Sequence, residues 1–292
     1  MFGIYLLGIP FLLPEIKEMV VNMNFKEIMM HVKTSSPLVH NITNYVTVND
    51  CANILLAAGA SPIMADDIDE VEEITSICHG LNINIGTLNQ RTIESMLLAG
   101  KKANAMNHPV TLDPVGTGAS TLRTETANKL LKNIDFTVIK GNVSEIKTLL
   151  CGYGNTKGVD ANEEDVIHAD NLHEVISTAK KLASNTKSIV VITGPVDIIT
   201  DGSTTYMIKN GHAMMSKITG TGCMLSCLIT AYISANENIL EATATAVMMM
   251  GLAGELAFSK DIGNMTYRNR LIDEIYKMTP ETLERGANYE II

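Results

Sequence analysis

Pro109-Val110-Thr111-Leu112-Asp113-Pro114-Val115-Gly116-Thr117-Gly118 opens a unit that closes at Phe136-Thr137-Val138-Ile139-Lys140-Gly141-Asn142. Pro109–Leu112 and Phe136–Ile139 are short apolar runs of strand length, and Leu122–Asn133 between them has helical spacing of its apolar residues. A strand, a Pro/Gly-rich loop, a helix and another strand form a β–α crossover, the unit from which parallel sheets are built.

The same alternation extends in both directions. Further strands are predicted at Ser61–Met64, Ile83–Gly86 and Ile189–Thr193, and further helices at Ile68–Ile77, Arg91–Met106 and Val143–Leu150. These elements predict an α/β fold with a mainly parallel central sheet covered by helices on both faces. The rhythm then changes. Val196–Thr200 and Thr204–Ile208 flank Asp201-Gly202-Ser203, which reads as a β-hairpin at the sheet edge. Beyond it, Cys223–Ala235 and Ile239–Phe258 read as long apolar helices without intervening strands, and Gly152–Asp165 as a surface loop. No linker, repeat or low-complexity segment interrupts the pattern, so residues 23–292 are expected to form one domain.

Composition narrows the class. Hydrophobic residues make up 46% of the chain, with no Trp, 5 Phe and 17 Met, so aliphatic and thioether side chains must fill the core. A net charge of −10 argues against a nucleic-acid partner, because no basic cluster is present to neutralise a phosphate backbone. The 5 cysteines are odd in number and scattered, which fits a reducing, cytoplasmic setting rather than a disulfide framework. Cys223 and Cys227 share a helix face, but without a second pair or a nearby His their spacing reads as core packing, not a metal site. Met1–Leu13 is apolar yet lacks a basic flank and is too short to cross a bilayer, so no membrane role is expected. Residues 1–22 are expected to be an extension produced by start-site choice, with Met23 as an internal start.

Ligands of open parallel sheets sit outside the carboxyl ends of the strands. The polar residues expected there are Met64-Ala65-Asp66-Asp67, the loop from Asp113 to Gly118, Lys140-Gly141-Asn142 with Glu145 a turn later, and Thr193-Gly194-Pro195. Farther along, Thr219-Gly220-Thr221-Gly222-Cys223 precedes the apolar run Met224–Tyr232. Glycines ahead of a helix gather free N–H groups, so Gly220, Thr221, Gly222 and Cys223 form a candidate anion hole with a thiol at its mouth. Each residue has an ordinary reading alone. Asp113 could be a turn residue, Glu145 a helix-terminal acid, Lys140 a solvated charge and Thr193 a turn hydroxyl. Together, carboxylates able to hold Mg²⁺, a cation and helix N–H groups are what phosphoryl transfer requires.

These residues also carry a resemblance. Val39-His40-Asn41-Ile42-Thr43-Asn44-Tyr45-Val46 and Ala57-Ala58-Gly59-Ala60-Ser61-Pro62-Ile63-Met64 resemble the opening of hydroxyethylthiazole kinases. So do Leu112–Gly116, Lys140–Ile146, Lys157-Gly158-Val159-Asp160, Ile192-Thr193-Gly194 and the Thr219–Cys223 loop, from about Phe25 to the last helices. The resemblance implies a ribokinase-like three-layer α/β/α fold and ATP-dependent phosphorylation of 4-methyl-5-(2-hydroxyethyl)thiazole in thiamine salvage. By matched position it implies that Met64 and Gly220 contact the thiazole, with Asn44 in the segment lining that pocket. It places Lys140 and Thr193 on the ATP phosphates. Asp113 and Glu145 would act through Mg²⁺ and its waters, and Cys223 would stand where most of the wider superfamily has a catalytic Asp. It further implies a homotrimer with active sites between subunits. A hydroxymethylpyrimidine kinase or a nicotinamide-nucleotide repair dehydratase would share the sheet and anion loop but not the His40–Asn44 and Ser61–Met64 segments. A non-catalytic binder would not need Asp113, Glu145, Lys140 and Cys223 together.

Overall fold

The structure, a computed structural model, describes residues 23–153 and 171–292. The expected extension at 1–22, the Lys157–Asp160 segment and most of the expected loop at Gly152–Asp165 lie outside the described residues.

The strands are β1 (Leu38–Ile42), β2 (Ser61–Met64), β3 (Gly80–Asn84), β4 (Val110–Asp113), β5 (Val138–Asn142), β6 (Ile189–Thr193), β7 (Asp197–Thr200), β8 (Thr205–Ile208) and β9 (Tyr289–Ile291). They form one sheet in the order β2-β1-β3-β4-β5-β6-β7-β8-β9, parallel from β2 across to β6 and antiparallel from β6 to β9. Period-two alternation sorts the strand side chains into two cores. Val39, Val138, Val191, Ile199 and Tyr206 face one helical layer, while Leu81, Ile139, Val190, Ile192 and Ile198 face another. The first layer holds α1 (Phe25–Ser35), α2 (Val48–Ala58), α8 (Thr221–Ala235), α9 (Ile239–Ala257), α10 (Asn264–Lys277) and α11 (Pro280–Gly286). The second holds α3 (Val71–Ile77), α4 (Gln90–Ala105), α5 (Thr121–Asn133), α6 (Val143–Tyr153) and α7 (Leu172–Thr186). The result is a three-layer α/β/α sandwich.

Several expectations shift by physical cause. Ser61–Met64 is not the first strand: β1 precedes it and lies inside it, leaving β2 at the sheet edge. The strand expected at Ile83–Gly86 runs from Gly80 to Asn84, because Asn82 and Asn84 are buried strand residues that read as loop by polarity. Lys140-Gly141-Asn142 belongs to β5 itself rather than following it. The hairpin formed by β7 and β8 turns at Asp201, whose Oδ1 accepts from the Ser203 and Thr204 amides at 2.8 Å each, with Gly202 at φ 99°. It is not the edge, since β9 pairs with β8 from the far end of the chain. With three residues, β9 is too short for alternation to announce it.

α8 and α9 are buried nearly all round, which is why both read as uniformly apolar. Among the described residues, α9 is the one helix long and apolar enough to span a bilayer, and 72% of its apolar window is buried within the protein. It is a core helix, packed between α8 and α10.

Candidate active site

Parallel register lines up a polar row on the face covered by α8. Asn84 of β3 pairs with Asp113 of β4. Leu112 pairs with Ile139, so one step on Asp113 comes beside Lys140. The Lys140 Nζ donates to Asp113 Oδ1 at 3.0 Å and to the Gly222 carbonyl at 3.1 Å. Asp113 Oδ2 accepts from Asn84 Nδ2 and from Ser226 Oγ, both at 2.8 Å. Both charges are buried, Asp113 at 0% and Lys140 at 4% exposure. Burial works against the ammonium, but Asp113, Cys223 and Glu145 together outweigh it and hold the Lys140 pKa above the usual lysine value.

Gly220 caps α8 from the left-handed region, at φ 92°, and a Cβ there would stand 2.7 Å from Thr47 Cγ2. No side chain caps this terminus, so the first-turn amides of Thr221, Gly222 and Cys223 are left for an anion, beside the dipole's positive end. Gly222 also lets the lysine in: a Cβ on it would lie 3.1 Å from Lys140 Nζ. Cys223 Sγ accepts from Asn44 Nδ2 at 3.1 Å and from Asn84 Nδ2 at 3.3 Å. Burial and the nearby Asp113 push the thiol pKa up, with Lys140 pulling the other way.

Glu145 forms a reciprocal cap on α6. Its Oε2 accepts from the Asn142 amide at 2.8 Å while its own amide donates to Asn142 Oδ1 at 2.9 Å. Oε1 accepts from the Gly116 amide at 2.8 Å, tying the loop after β4 to the end of β5. Burial and Asp113 raise its pKa against Lys140 and the two backbone amides. Glu145→Gln should turn an amide donor toward one of those two N–H groups, costing about 1–3 kcal/mol of stability. Chemical denaturation reads this loss, and a wild-type midpoint would show that the loops close without the carboxylate.

A cavity of about 620 Å³ opens beside the α8 terminus, with Thr193, Thr221 and Gly222 at one end and Leu225, Val247 and Met250 along its wall. The Asn210–His212 segment edging it is pinned: Glu255 Oε1 accepts from Asn210 Nδ2 at 3.1 Å and from the Gly211 amide at 2.8 Å, and His212 stacks on Phe258 at 3.9 Å. Half-buried Asp197 accepts from the Gly194 amide at 2.9 Å. Burial pushes its pKa up to about 7, against that amide and Lys140. The folded state thus holds the proton more tightly than the unfolded chain. Its contribution to stability is full below the ordinary value of 3.8 and is lost as pH rises through about 7. Asp197→Asn keeps an acceptor for Gly194 and should gain in melting temperature over wild type between about pH 5 and about pH 8. An offset that stays constant with pH would refute this.

Asn44 arrives from the turn after β1. Its Oδ1 accepts from the Thr47 amide and hydroxyl at 3.2 and 3.1 Å, which aims Nδ2 at Cys223 and, at 3.0 Å, at Asn84 Oδ1. Met64 stands apart from this cluster, half-buried at the end of edge strand β2 and opposite Asn41 in register. The structure therefore brings Asn44, Asp113, Lys140, Glu145 and the Gly220–Cys223 turn together, and sets Thr193 at the adjoining cavity. Sequence reading missed Asn84 and Ser226, and with them Arg123, whose guanidinium donates to the Ile85, Gly86 and Val115 carbonyls and clamps the loops after β3 and β4. A signal existed: Leu81-Asn82-Ile83-Asn84-Ile85 alternates, and Ser226 and Thr230 recur at helical spacing on α8. Among the described residues, no three of His, Cys, Asp and Glu gather as a metal's full ligand set.

Residues 29–281 match the hydroxyethylthiazole kinase family. The chain belongs to this family. It is 60% identical over 269 residues to the hydroxyethylthiazole kinase of Clostridium acetobutylicum, covering 91% of this chain and 98% of that protein. Its fold matches the hydroxyethylthiazole kinase structure from Pyrococcus horikoshii with a TM-score of 0.83 at 34% identity, over 92% of this chain and 98% of the other. A ribokinase-like superfamily protein from Enterococcus faecalis aligns with a TM-score of 0.58 at 13% identity, over 86% of this chain and 94% of its own, a likeness of fold alone. The three-layer sandwich is thus the ribokinase-like fold.

Proposed function

We propose that this chain transfers the γ-phosphoryl group of ATP to the primary alcohol of 4-methyl-5-(2-hydroxyethyl)thiazole, feeding thiamine phosphate synthesis in the cytoplasm. The observation that carries the reading is the convergence of the Lys140–Asp113 pair and Cys223 on the uncapped first turn of α8, whose Thr221 and Gly222 line the cavity. In this reading Lys140 and Thr193 meet the ATP phosphates and the Gly220–Cys223 amides receive the transferring group. Preorganised donors aimed at developing charge provide the largest single contribution to such reactions. Gly220, Asn44 and Met64 border the acceptor, where a thioether offers soft contact to a flat sulfur heterocycle. A coupled assay of ATP consumption tests this directly. Turnover is expected with the thiazole alcohol, and faster turnover on hydroxymethylpyrimidine would overturn the assignment.

The donor set fits Mg²⁺ held through water. Asp113 Oδ2 already accepts two hydrogen bonds and faces inward, whereas each Glu145 oxygen accepts one backbone amide and keeps a lone pair. Glu145, with Asp113 behind it, would hold the hydrated ion, which supplies charge neutralisation between the phosphates. A homotrimer with active sites between subunits would cover edge strand β2 and Met64. Tyr45 and Val46, exposed at 77% and 57% beside Asn44, support such an interface. Sedimentation reads that state.

Cys223 takes the alcohol proton in this scheme. The acceptor is its thiolate form, which burial and Asp113 disfavour, and in a loose transition state the proton leaves late, so the base supplies only a limited share. Cys223→Ala should slow turnover by roughly tenfold to a hundredfold, the low end of general-base effects, with ATP affinity little changed. Cys223→Asp should match or exceed wild type, because the amides of Asn44 and Asn84 can receive a carboxylate there. If Cys223→Asp is dead while Cys223→Ala is active, the base assignment goes.

A further inference from the structure

Asn84 touches both Asp113 and Cys223. Its side chain is buried, at 1% exposure, and every polar atom on it is used. Nδ2 donates to Asp113 Oδ2 at 2.8 Å and to Cys223 Sγ at 3.3 Å, while Oδ1 accepts from the Gly86 amide at 2.8 Å and from Asn44 Nδ2 at 3.0 Å. The amide cannot be turned over. A flip would set its oxygen against the Asp113 carboxylate and its N–H groups against the Gly86 N–H. Asn44 is oriented likewise by the Thr47 amide, so two N–H donors with fixed aim converge on one sulfur. Gly86 makes this possible, because a Cβ there would lie 2.9 Å from Asn84 Oδ1.

We propose that Asn84 is a positioning residue for phosphoryl transfer, holding the Cys223 sulfur at the first turn of α8 with one amide hydrogen and the Asp113 carboxylate beside Lys140 with the other. The inference rests on the reading of Cys223 as proton acceptor. A polar residue that merely filled the core would satisfy Asp113 and Gly86 equally well, but it would have no reason to govern turnover through the sulfur. The sheet register supplies the juxtaposition: Asn84 pairs with Asp113 across β3 and β4, and α8 lays Cys223 and Ser226 over that pair.

The test is a double-mutant cycle read by steady-state kinetics. Asn84→Ala should lower kcat roughly tenfold, the worth of about one buried hydrogen bond in the transition state, with both KM values within roughly twofold. In a Cys223→Ala background the same change should cost less, about threefold, since the share acting through the sulfur is gone and only the share through Asp113 remains. Asn84→Ser serves as the second variant. Its hydroxyl leaves Gly86 an acceptor within the fold but cannot span to both Asp113 and Cys223, so it should repeat the loss in kcat. Wild-type kcat in a folded Asn84→Ser or Asn84→Ala protein would overturn the proposal. So would an equal loss in both backgrounds, or a raised KM with kcat unchanged. Wild-type turnover of Cys223→Ala alone would overturn the proton-acceptor reading as well, and that single variant tells the two failures apart.

Discussion

Asp113→Asn is expected to cost about 3–5 kcal/mol of stability, the penalty for stripping a buried charge of its partner. The substitution is isosteric, yet it cannot be accommodated by rotation. Lys140 Nζ donates to Oδ1, and Asn84 and Ser226 donate to Oδ2, so the new NH₂ meets a donor whichever way it turns. Lys140, at 4% exposure, is then left without a charged hydrogen-bond partner. Turnover should fall by about 10²–10³-fold, the loss typical of removing one preorganised electrostatic group at transferring charge. Thiazole affinity by calorimetry should stay within roughly a few-fold, because in the proposed reading the thiazole sits toward Asn44 and Met64. Adding Lys140→Met should recover part of the stability, as replacing a whole buried pair with apolar groups often does, while turnover stays low. A single Asp113→Asn variant with the wild-type denaturation midpoint would show that the pair does not hold the ammonium in place.

Gly220→Ala should damage turnover about as much, by roughly 10²–10³-fold, with a smaller cost to folding. Two independent strains meet at this position. A residue with a Cβ pays roughly 1–2 kcal/mol in the left-handed region, where Gly220 sits at φ 92°. That Cβ would also stand 2.7 Å from Thr47 Cγ2, closer than van der Waals contact allows. The cap must move, and the first-turn amides of α8 move with it, away from any anion they were set to receive. Gly222→Ala is the control. Its Cβ would lie 3.1 Å from the far end of flexible Lys140, which can give way, and φ there is not positive, so the loss should be smaller. Adding Thr47→Ser to Gly220→Ala should restore part of the rate by removing the clash but not the backbone strain. Equal rates for Gly220→Ala and wild type would mean that the amides of this turn carry little of the catalysis.

Much of this protein was legible in its sequence because the signals are local. The β–α alternation, the hairpin around Gly202 and the helix start at Gly220 follow from spacing and turn chemistry within a few residues. Asp113, Lys140, Glu145 and Cys223 could be named as candidates because they stand at strand ends or a glycine-marked helix start. What they do to one another could not be read there. Asn84 reaches Cys223 across 139 residues and Asn44 reaches it across 179, and nothing in a pattern of period two says which strands are neighbours. Sheet order and register decide that, placing Asn84, Asp113 and Lys140 in one row under α8 and turning Glu145 from a helix-terminal acid into the tie between two loops. They also bury the charges, and burial in that row is what raises the Cys223 and Glu145 pKa values, because desolvation is a property of the packed interior and not of the chain.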